Sequence, residues 1–428
     1  MFKVLVIAYY FPPMGLSGVQ RTLKFVKYLK NYNWEPTVIT TDDVGYFAHD
    51  DYLNNELDEA NVRVIRVAGR DPNSLLSKFG TIKLPREIFR KVFSKLSQTF
   101  YIPDNKINWA KKALEKTEEL LQTENFDAIF VSAPPFSSFH VFSQIKKKYR
   151  ISLIIDYRDL WYTSYFAFYP TPFHKTMHKK MEYNVLKVAD RIIVTNRQIK
   201  EKLLNTFQFL TFNDVIIITH GFDPDDFEKA IVIPKHNKRM ILTYSGIFMV
   251  YNTPEYFLKA FKQISIEHPE IAKNIELHFV GFLRKENQRL VRKLNLQEFV
   301  YDHGYVDHQH AVSKIISSDV LWMMVGNRKN IDAILPGKVY EYIGAKKPII
   351  ACVPNGAARS AVQEYPASYI CKPDDVNEIK ETILKVYEHY QSSKFSYPED
   401  DYYTKFRRDF LTEKLSKEFQ FLIKADIR

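Results

Sequence analysis

Cysteine is almost missing from the chain: two residues in 428, Cys352 and Cys371, with no CxxC spacing. A disulfide framework and a cysteine-rich zinc site are both excluded, and a reducing, cytoplasmic setting is expected. Long apolar runs are missing too; none approaches the ~18 residues a bilayer span needs. The opening Met1–Pro13 has a short apolar run closed by Pro12-Pro13 and no small-residue cleavage site, so it reads as a buried strand, not a leader. There is no repeat of 20–50 residues and no low-complexity tract. Composition is otherwise ordinary, 46% hydrophobic and 26% charged, which excludes wholesale disorder. The length suggests two or three domains. Lys and Arg (61) exceed Asp and Glu (50) by 11, which favours anionic partners: phosphates, a membrane surface or nucleic acid.

Short β-rich runs alternate with amphipathic ones. Lys3–Tyr10, Thr37–Thr41, Val62–Val67, Ala128–Val131, Ser152–Asp156, Arg191–Thr195 and Val215–Thr219 read as strands. Val19–Lys30 reads as a helix with Leu23, Val26 and Leu29 on one face. After the Gly-, Pro- and Asp-rich stretch His220–Phe227 the alternation restarts, with strands at Met240–Tyr244, Ile275–Val280, Val320–Val325, Pro348–Cys352 and Ser368–Cys371. Such alternation predicts parallel sheets covered by helices. The expected division is 1–222, 223–400, and a last helical segment 401–428. Two α/β domains define a cleft, and ligands bind such sheets beyond the carboxyl ends of the strands.

Four loops carry candidate chemistry. In Phe11–Arg21, Gly15 and Gly18 permit close backbone approach before a helix N-terminus. The loop is neither a Walker P-loop nor GxGxxG, and a tight turn without a ligand is the alternative. In Val131–His140, Pro134 and Pro135 fix the backbone and Ser137 can cap a helix, with His140 packed one turn further on; a rigid loop without chemistry is the alternative. In Ile155–Trp161, Asp156, Arg158, Asp159 and Trp161 follow an apolar strand. Burying that set is costly, so a wet cleft is expected, where an Asp orients a hydroxyl or acts as a base. An Arg158–Asp ion pair holding the loop is the alternative. In Asn327–Pro348, Pro336 suits a first helical position, and the amides of Gly337, Lys338 and Val339 would face an anion. Lys338 and Glu341, three apart, share a face opposite Val339 and Ile343; an ordinary surface Lys–Glu pair is the alternative.

Together these segments resemble the family 4 glycosyltransferases, which have the two-domain GT-B fold. The likeness is carried by Tyr9–Arg21, Ser132–Ser138, Asp156–Trp161, His220–Asp223 and Pro336–Tyr342, and it covers nearly the whole chain. It implies an α/β fold of two Rossmann-like domains facing across a cleft, with a nucleotide-sugar donor held mainly by the second. Glu341 would match the glutamate that binds the nucleotide ribose; Lys338 and the amides near Gly337 would face the diphosphate, and Gly246 would lie near the donor. The Gly15–Gly18 loop would approach the donor from the first domain, while Asp156, Arg158, Asp159, Ser132 and Trp161 would lie on the acceptor side. The likeness also implies that Tyr402–Ile423 crosses back onto the first domain. Two departures stand out. The first of the family's paired glutamates falls at Ala333, beside Asp332. No cation follows Gly246, so Arg284 and Lys285, or Arg328 and Lys329, would supply the charge.

The resemblance implies retention of configuration, no metal and no other cofactor. The aspartate pairs Asp42-Asp43, Asp50-Asp51 and Asp225-Asp226 do not end a cleft-facing strand as a DxD site would. Ser77–Phe100 carries six basic residues against Glu87, interleaved with apolar ones, which suits the inner face of an anionic membrane and a glycan or lipid-linked acceptor; a basic helix face packing on the domain is the alternative. The expected activity is sugar transfer in cell-surface polysaccharide assembly. The competing readings are a nucleotide-sugar epimerase on the same architecture and a nonenzymatic membrane- or nucleic-acid-binding protein, though no nucleic-acid module is evident.

Overall fold

The computed structural model describes residues 1–46, 48–71, 74, 87–248 and 252–426. The chain divides into two units, Met1–His220 with Arg408–Arg428, and Gly221–Arg407. The first is built on seven strands: β1 (Phe2–Ile7), β2 (Trp34–Thr41), β3 (Arg63–Val67), β4 (Ala128–Ala133), β5 (Ser152–Tyr157), β6 (Arg191–Val194) and β7 (Val215–Ile217). They form one sheet in the order β3-β2-β1-β4-β5-β6-β7 with every pair parallel. β4 and β5 are buried along their whole length, so they read as continuous apolar runs and not as alternating ones.

The second unit repeats the plan with β8 (Met240–Ser245), β9 (Ile275–Val280), β10 (Val300–Asp302), β11 (Val320–Met324), β12 (Ile349–Cys352) and β13 (Ser368–Cys371). Their order is β10-β9-β8-β11-β12-β13, again all parallel. One face of this sheet packs Leu242, Tyr244, Leu277, Phe279 and Trp322 against helix Glu255–Glu267. Trp322 stacks on Phe257 with ring centres 3.8 Å apart. Both units are therefore Rossmann-like parallel sheets, as the alternation predicts. Each reverses its winding once, between β1 and β4 and between β8 and β11, and such switch points leave a crevice at the carboxyl ends of the strands.

Two features differ from the sequence reading. β10 was not among the expected strands; it is a three-residue edge strand with Tyr301 and Asp302 exposed, too short and polar to leave a periodic signal. Tyr402–Ile423 is not one helix. A short helix, Asp400–Thr404, lies in the second unit, and the long one begins only at Arg408. Residues 401–407 therefore belong to the second unit. The break is local chemistry: Phe406 and Arg407 donate to the carbonyls three residues back, and the Phe406 carbonyl accepts from the Phe222 amide. From Arg408 onward the helix packs in the first unit, where Phe419 meets Trp34 and Phe130 at ring distances of 5.1 and 5.8 Å.

Close backbone approach is built into the end of β9. Gly281 has φ +127, and a Cβ there would stand 2.4 Å from the Gly246 carbonyl oxygen. Gly281→Ala should cost at least about 2 kcal/mol. Gly304→Ala, at φ +67 in open space, should cost only about 1 kcal/mol. Urea unfolding of the two variants checks the order; equal midpoints would refute the close-approach account.

Candidate active site

In the first unit the four elements around the switch point are tied by one buried ion pair. Arg21, from helix Ser17–Leu29, sends Nη2 to Asp156 Oδ1 at 2.7 Å and Nε to Oδ2 at 3.0 Å, and both side chains are fully buried. The same guanidinium donates to the carbonyls of Ile218 and Thr219, 2.9 and 2.8 Å away, beyond β7. Ser132, at the end of β4, donates to Asp156 Oδ2 at 3.0 Å. Every lone pair direction of Asp156 that matters is thus in use, and the pairing explains how a carboxylate is tolerated there.

This corrects several expectations. Asp156, expected to face the acceptor, is sealed in the clasp, and Ser132 is buried beside it. Arg158 is not paired with an aspartate within 4 Å. It donates to the carbonyls of Gly18, Ala133 and Pro134, so it ties the loop after β5 to the start of helix Ser17–Leu29 and to the end of β4. Trp161 is not a surface platform: it is buried, stacks on Phe136 at 5.2 Å, and donates to His178 Nδ1 at 2.9 Å. Gly15 is buried, its amide taken by the Ala48 carbonyl, while Gly18 is exposed. Ser137 does not cap its helix; Asp104, distant in sequence, accepts the Ser137 amide at 2.9 Å.

Asp159 is the less deeply buried carboxylate at the end of β5. It is partly exposed and makes no hydrogen bond to another described residue. Desolvation pushes its carboxyl above the usual range, with Arg158 pulling part of the way back, a setting that suits proton transfer or hydroxyl orientation. Nearby, desolvation and the charges of Arg21, Arg408 and Arg158 hold His220 far below the usual imidazole range, hence neutral.

In the second unit, helix Lys338–Gly344 starts two residues later than Pro336 suggests. A tight turn precedes it: the Val339 amide donates to Pro336 and the Tyr340 amide to Gly337. Val339 therefore has no amide to spare for an anion. Val339 and Ile343 face the core as expected, joined by Tyr340 and Tyr342. The Tyr342 hydroxyl accepts from the Ser245 amide at 2.8 Å, fixing this helix to the end of β8.

That anchoring places Lys338 over the Tyr244 ring, with Nζ 3.7 Å from its centre. Gly246, at φ +125, makes the room: a Cβ there would stand 2.7 Å from Nζ. Among the described residues no carboxylate lies within ion-pair distance of Lys338, so the ordinary Lys–Glu surface pair is not formed. Desolvation pushes the ammonium down to about 7, with Glu341 restoring only part of its charge preference. Glu341 is half-buried and accepts no hydrogen bond from a described side chain. Gly337 begins the turn and is half-buried. Arg284 precedes helix Lys285–Lys293 and sits 3.9 Å from Glu286, a partnered cation and not a spare one. Ala333 is buried, and the Asp332 carbonyl accepts the Ala357 amide at 2.6 Å. The sequence reading missed Arg21 and Tyr244. Arg21 is one of two buried charges, with Lys24, on its helix, and nothing in the sequence separates it from the others, whereas Tyr244 looks like any strand aromatic.

Comparison with known proteins agrees with this arrangement. Residues 17–226 match the model for Glycosyltransferase Family 4 and residues 225–396 that for Glycosyl transferases group 1. The chain belongs to the family 4-type glycosyltransferases of GT-B fold. No curated protein matches the sequence. Among solved structures, a sucrose-phosphate synthase from Thermosynechococcus elongatus is similar over 99% of this chain and 100% of its own, at 15% identity and TM-score 0.66. A glycosyltransferase from Rickettsia africae is similar over 99% of both chains, at 14% identity and TM-score 0.65. A UDP-GlcNAc 2-epimerase from Methanocaldococcus jannaschii is similar over 98% of this chain and 99% of its own, at 12% identity and TM-score 0.55. At such identities these three show the fold; the matched family models point to a transferase.

Removing one half of the buried clasp should be far worse than removing both. Arg21→Ala should destabilise the first unit by about 3–5 kcal/mol, and Arg21→Met combined with Asp156→Leu by much less. Chemical denaturation reads both; an Arg21→Ala midpoint equal to wild type would contradict the clasp.

Proposed function

We propose that this glycosyltransferase moves a sugar from a nucleotide-sugar donor to a glycan or lipid-linked acceptor, with retention of configuration, in cell-surface polysaccharide assembly. The observation that carries the reading is Lys338: a desolvated cation over Tyr244 with no carboxylate partner, beside a glycine that keeps the space clear. Such a group is completed by an anion. In this reading Lys338 and the backbone at Gly337 receive the donor diphosphate in the space that Gly246 leaves clear, and Glu341 accepts hydrogen bonds from the ribose hydroxyls. Asp159 orients the acceptor hydroxyl. No metal is assigned.

The difficulty of the reaction is charge on the departing diphosphate as the glycosidic bond opens toward an oxocarbenium-like state. Preorganised donors aimed at that charge lower the barrier most. The enzyme is placed in the cytoplasm, peripheral to a membrane when its acceptor is lipid-linked.

Glu341→Ala should abolish the thermal stabilisation given by the matching nucleoside diphosphate, UDP or GDP, while the melting point without nucleotide stays as in wild type. Unchanged affinity would overturn the site. Product analysis with the matching nucleotide sugar then separates transfer from epimerisation. A pH effect follows from Lys338. The diphosphate binds best to the protonated amine, which is populated below about 7 in the free protein. Affinity should therefore fall as pH rises above 7, by up to about tenfold per unit. It should fall less in Lys338→Met, and calorimetry from pH 6 to 9 reads both.

A further inference from the structure

The basic segment singled out in the sequence folds with its faces reversed. Residues 77–86 lie outside the described part of the chain, but helix Glu87–Phe100 is described. Phe89, Val92, Phe93, Leu96 and Phe100 fall at helical spacing on one side. All five face solvent, from 48% exposed at Leu96 to 76% at Phe100. The helix touches its own unit through the other side. Gln98 Oε1 accepts the Phe168 amide at 2.7 Å, the Thr99 carbonyl accepts from His174 Nε2 at 3.1 Å, and Lys95 Nζ lies 5.2 Å from the Phe168 ring centre. The segment it rests on is also aromatic and exposed, at Phe166 and Phe168 in the loop and at Phe173 in the first turn of helix Pro172–Val188.

Apolar area of this size on a soluble surface marks an interaction site, and charge decides the occupant. Arg90 stands on one flank of the stripe and Lys95 on the other, with Lys91 further round the helix; long side chains at such flanks reach past an apolar face to its polar boundary. Between Ile88 and Pro103 there is no acidic residue. Helix Pro172–Val188, which follows the aromatic loop, adds Lys175, Lys179 and Lys180. An apolar stripe edged by cations alone fits the interface of an anionic bilayer better than it fits a mixed-charge protein surface.

We infer that helix Glu87–Phe100, the loop bearing Phe166 and Phe168, and Phe173 at the start of helix Pro172–Val188 form one anionic-membrane docking surface, the first helix lying in the interface with its outward stripe among the lipid chains. The hydrogen bonds that Gln98 Oε1 accepts from the Phe168 amide and the Thr99 carbonyl from His174 make the helix enter as a unit with the loop and the helix that follows it. That loop is continuous in sequence with Asp159, so docking brings the candidate acceptor loop to the lipid surface. The inference deepens the proposed function by naming a partner, but its evidence is independent of the donor site.

The test uses the full-length protein with vesicles of phosphatidylcholine alone or mixed with phosphatidylglycerol. Co-sedimentation with the mixed vesicles is expected, and little with phosphatidylcholine alone. Phe93→Ser with Leu96→Ser should weaken binding at least about tenfold without changing the melting point, because both side chains are exposed. Lys91→Gln with Lys95→Gln should weaken it about fivefold per charge at low salt. Phe168→Trp should show blue-shifted fluorescence on adding mixed vesicles. Three results would overturn the inference: wild type that ignores anionic vesicles, a double-serine variant that binds like wild type, or a tryptophan that does not shift. Loss of a dimer in the double-serine variant with vesicle binding intact would instead assign the stripe to self-association. Nucleotide stabilisation, measured without vesicles, reports separately on the donor site.

Discussion

The first unit is organised by a pair of opposite charges kept wholly out of water. Arg21 and Asp156 come from a helix and a central strand 135 residues apart in sequence, and between them they also engage β4 and the chain beyond β7. A lone buried ion of either sign is intolerable, so the elements that satisfy the pair have little freedom to drift. Arg158 extends the constraint outward by holding the carbonyls of Gly18, Ala133 and Pro134. The result is a rigid rim at the carboxyl ends of the strands, on which Asp159 is the less deeply buried of the two carboxylates at the end of β5. Rigidity one layer beneath a reacting group is what positioning in catalysis demands.

The second unit uses the opposite arrangement. Its strands, tyrosines and glycines bring one cation into a desolvated position and give it no protein anion. The first unit spends its ionic interactions internally, whereas the second leaves one incomplete. This asymmetry, more than the fold, separates a scaffold from a binding site, since the same architecture serves synthases and epimerases alike.

Much of this was legible in the sequence. Strands buried on both faces announce themselves as apolar runs, and twelve of the thirteen were readable to within a few residues; β10, short and polar at the edge, was not. Lys338 and Glu341 could be singled out by their shared helix face only once the resemblance to family 4 glycosyltransferases was added, since the spacing alone is equally that of a surface pair, and Gly246 came from the resemblance alone. What could not be read was the sense in which polar residues point. Asp156 and Asp159 stand three positions apart, and only the pleat of β5 and the reach of Arg21 decide that one is sealed and the other partly exposed. The same holds for Ser137, displaced from capping by Asp104 through a contact no local pattern contains. In helix Glu87–Phe100 the amphipathic pattern was plain, but which face met the protein depended on Gln98 and Thr99 finding partners in a distant loop.

The solitary lysine has a chemical corollary. An amine that is uncharged for much of the time near neutrality is a nucleophile, whereas the solvent-exposed ammonium groups elsewhere on the molecule are masked by their protons. Mild acylating reagents at neutral pH thus meet a more nucleophilic amine at Lys338 than at the fully exposed lysines, and a bulky acyl group there would occupy the space that Gly246 leaves vacant. Covalent ligands have a natural foothold in this molecule, supplied by the same desolvation that prepares the residue for an anion.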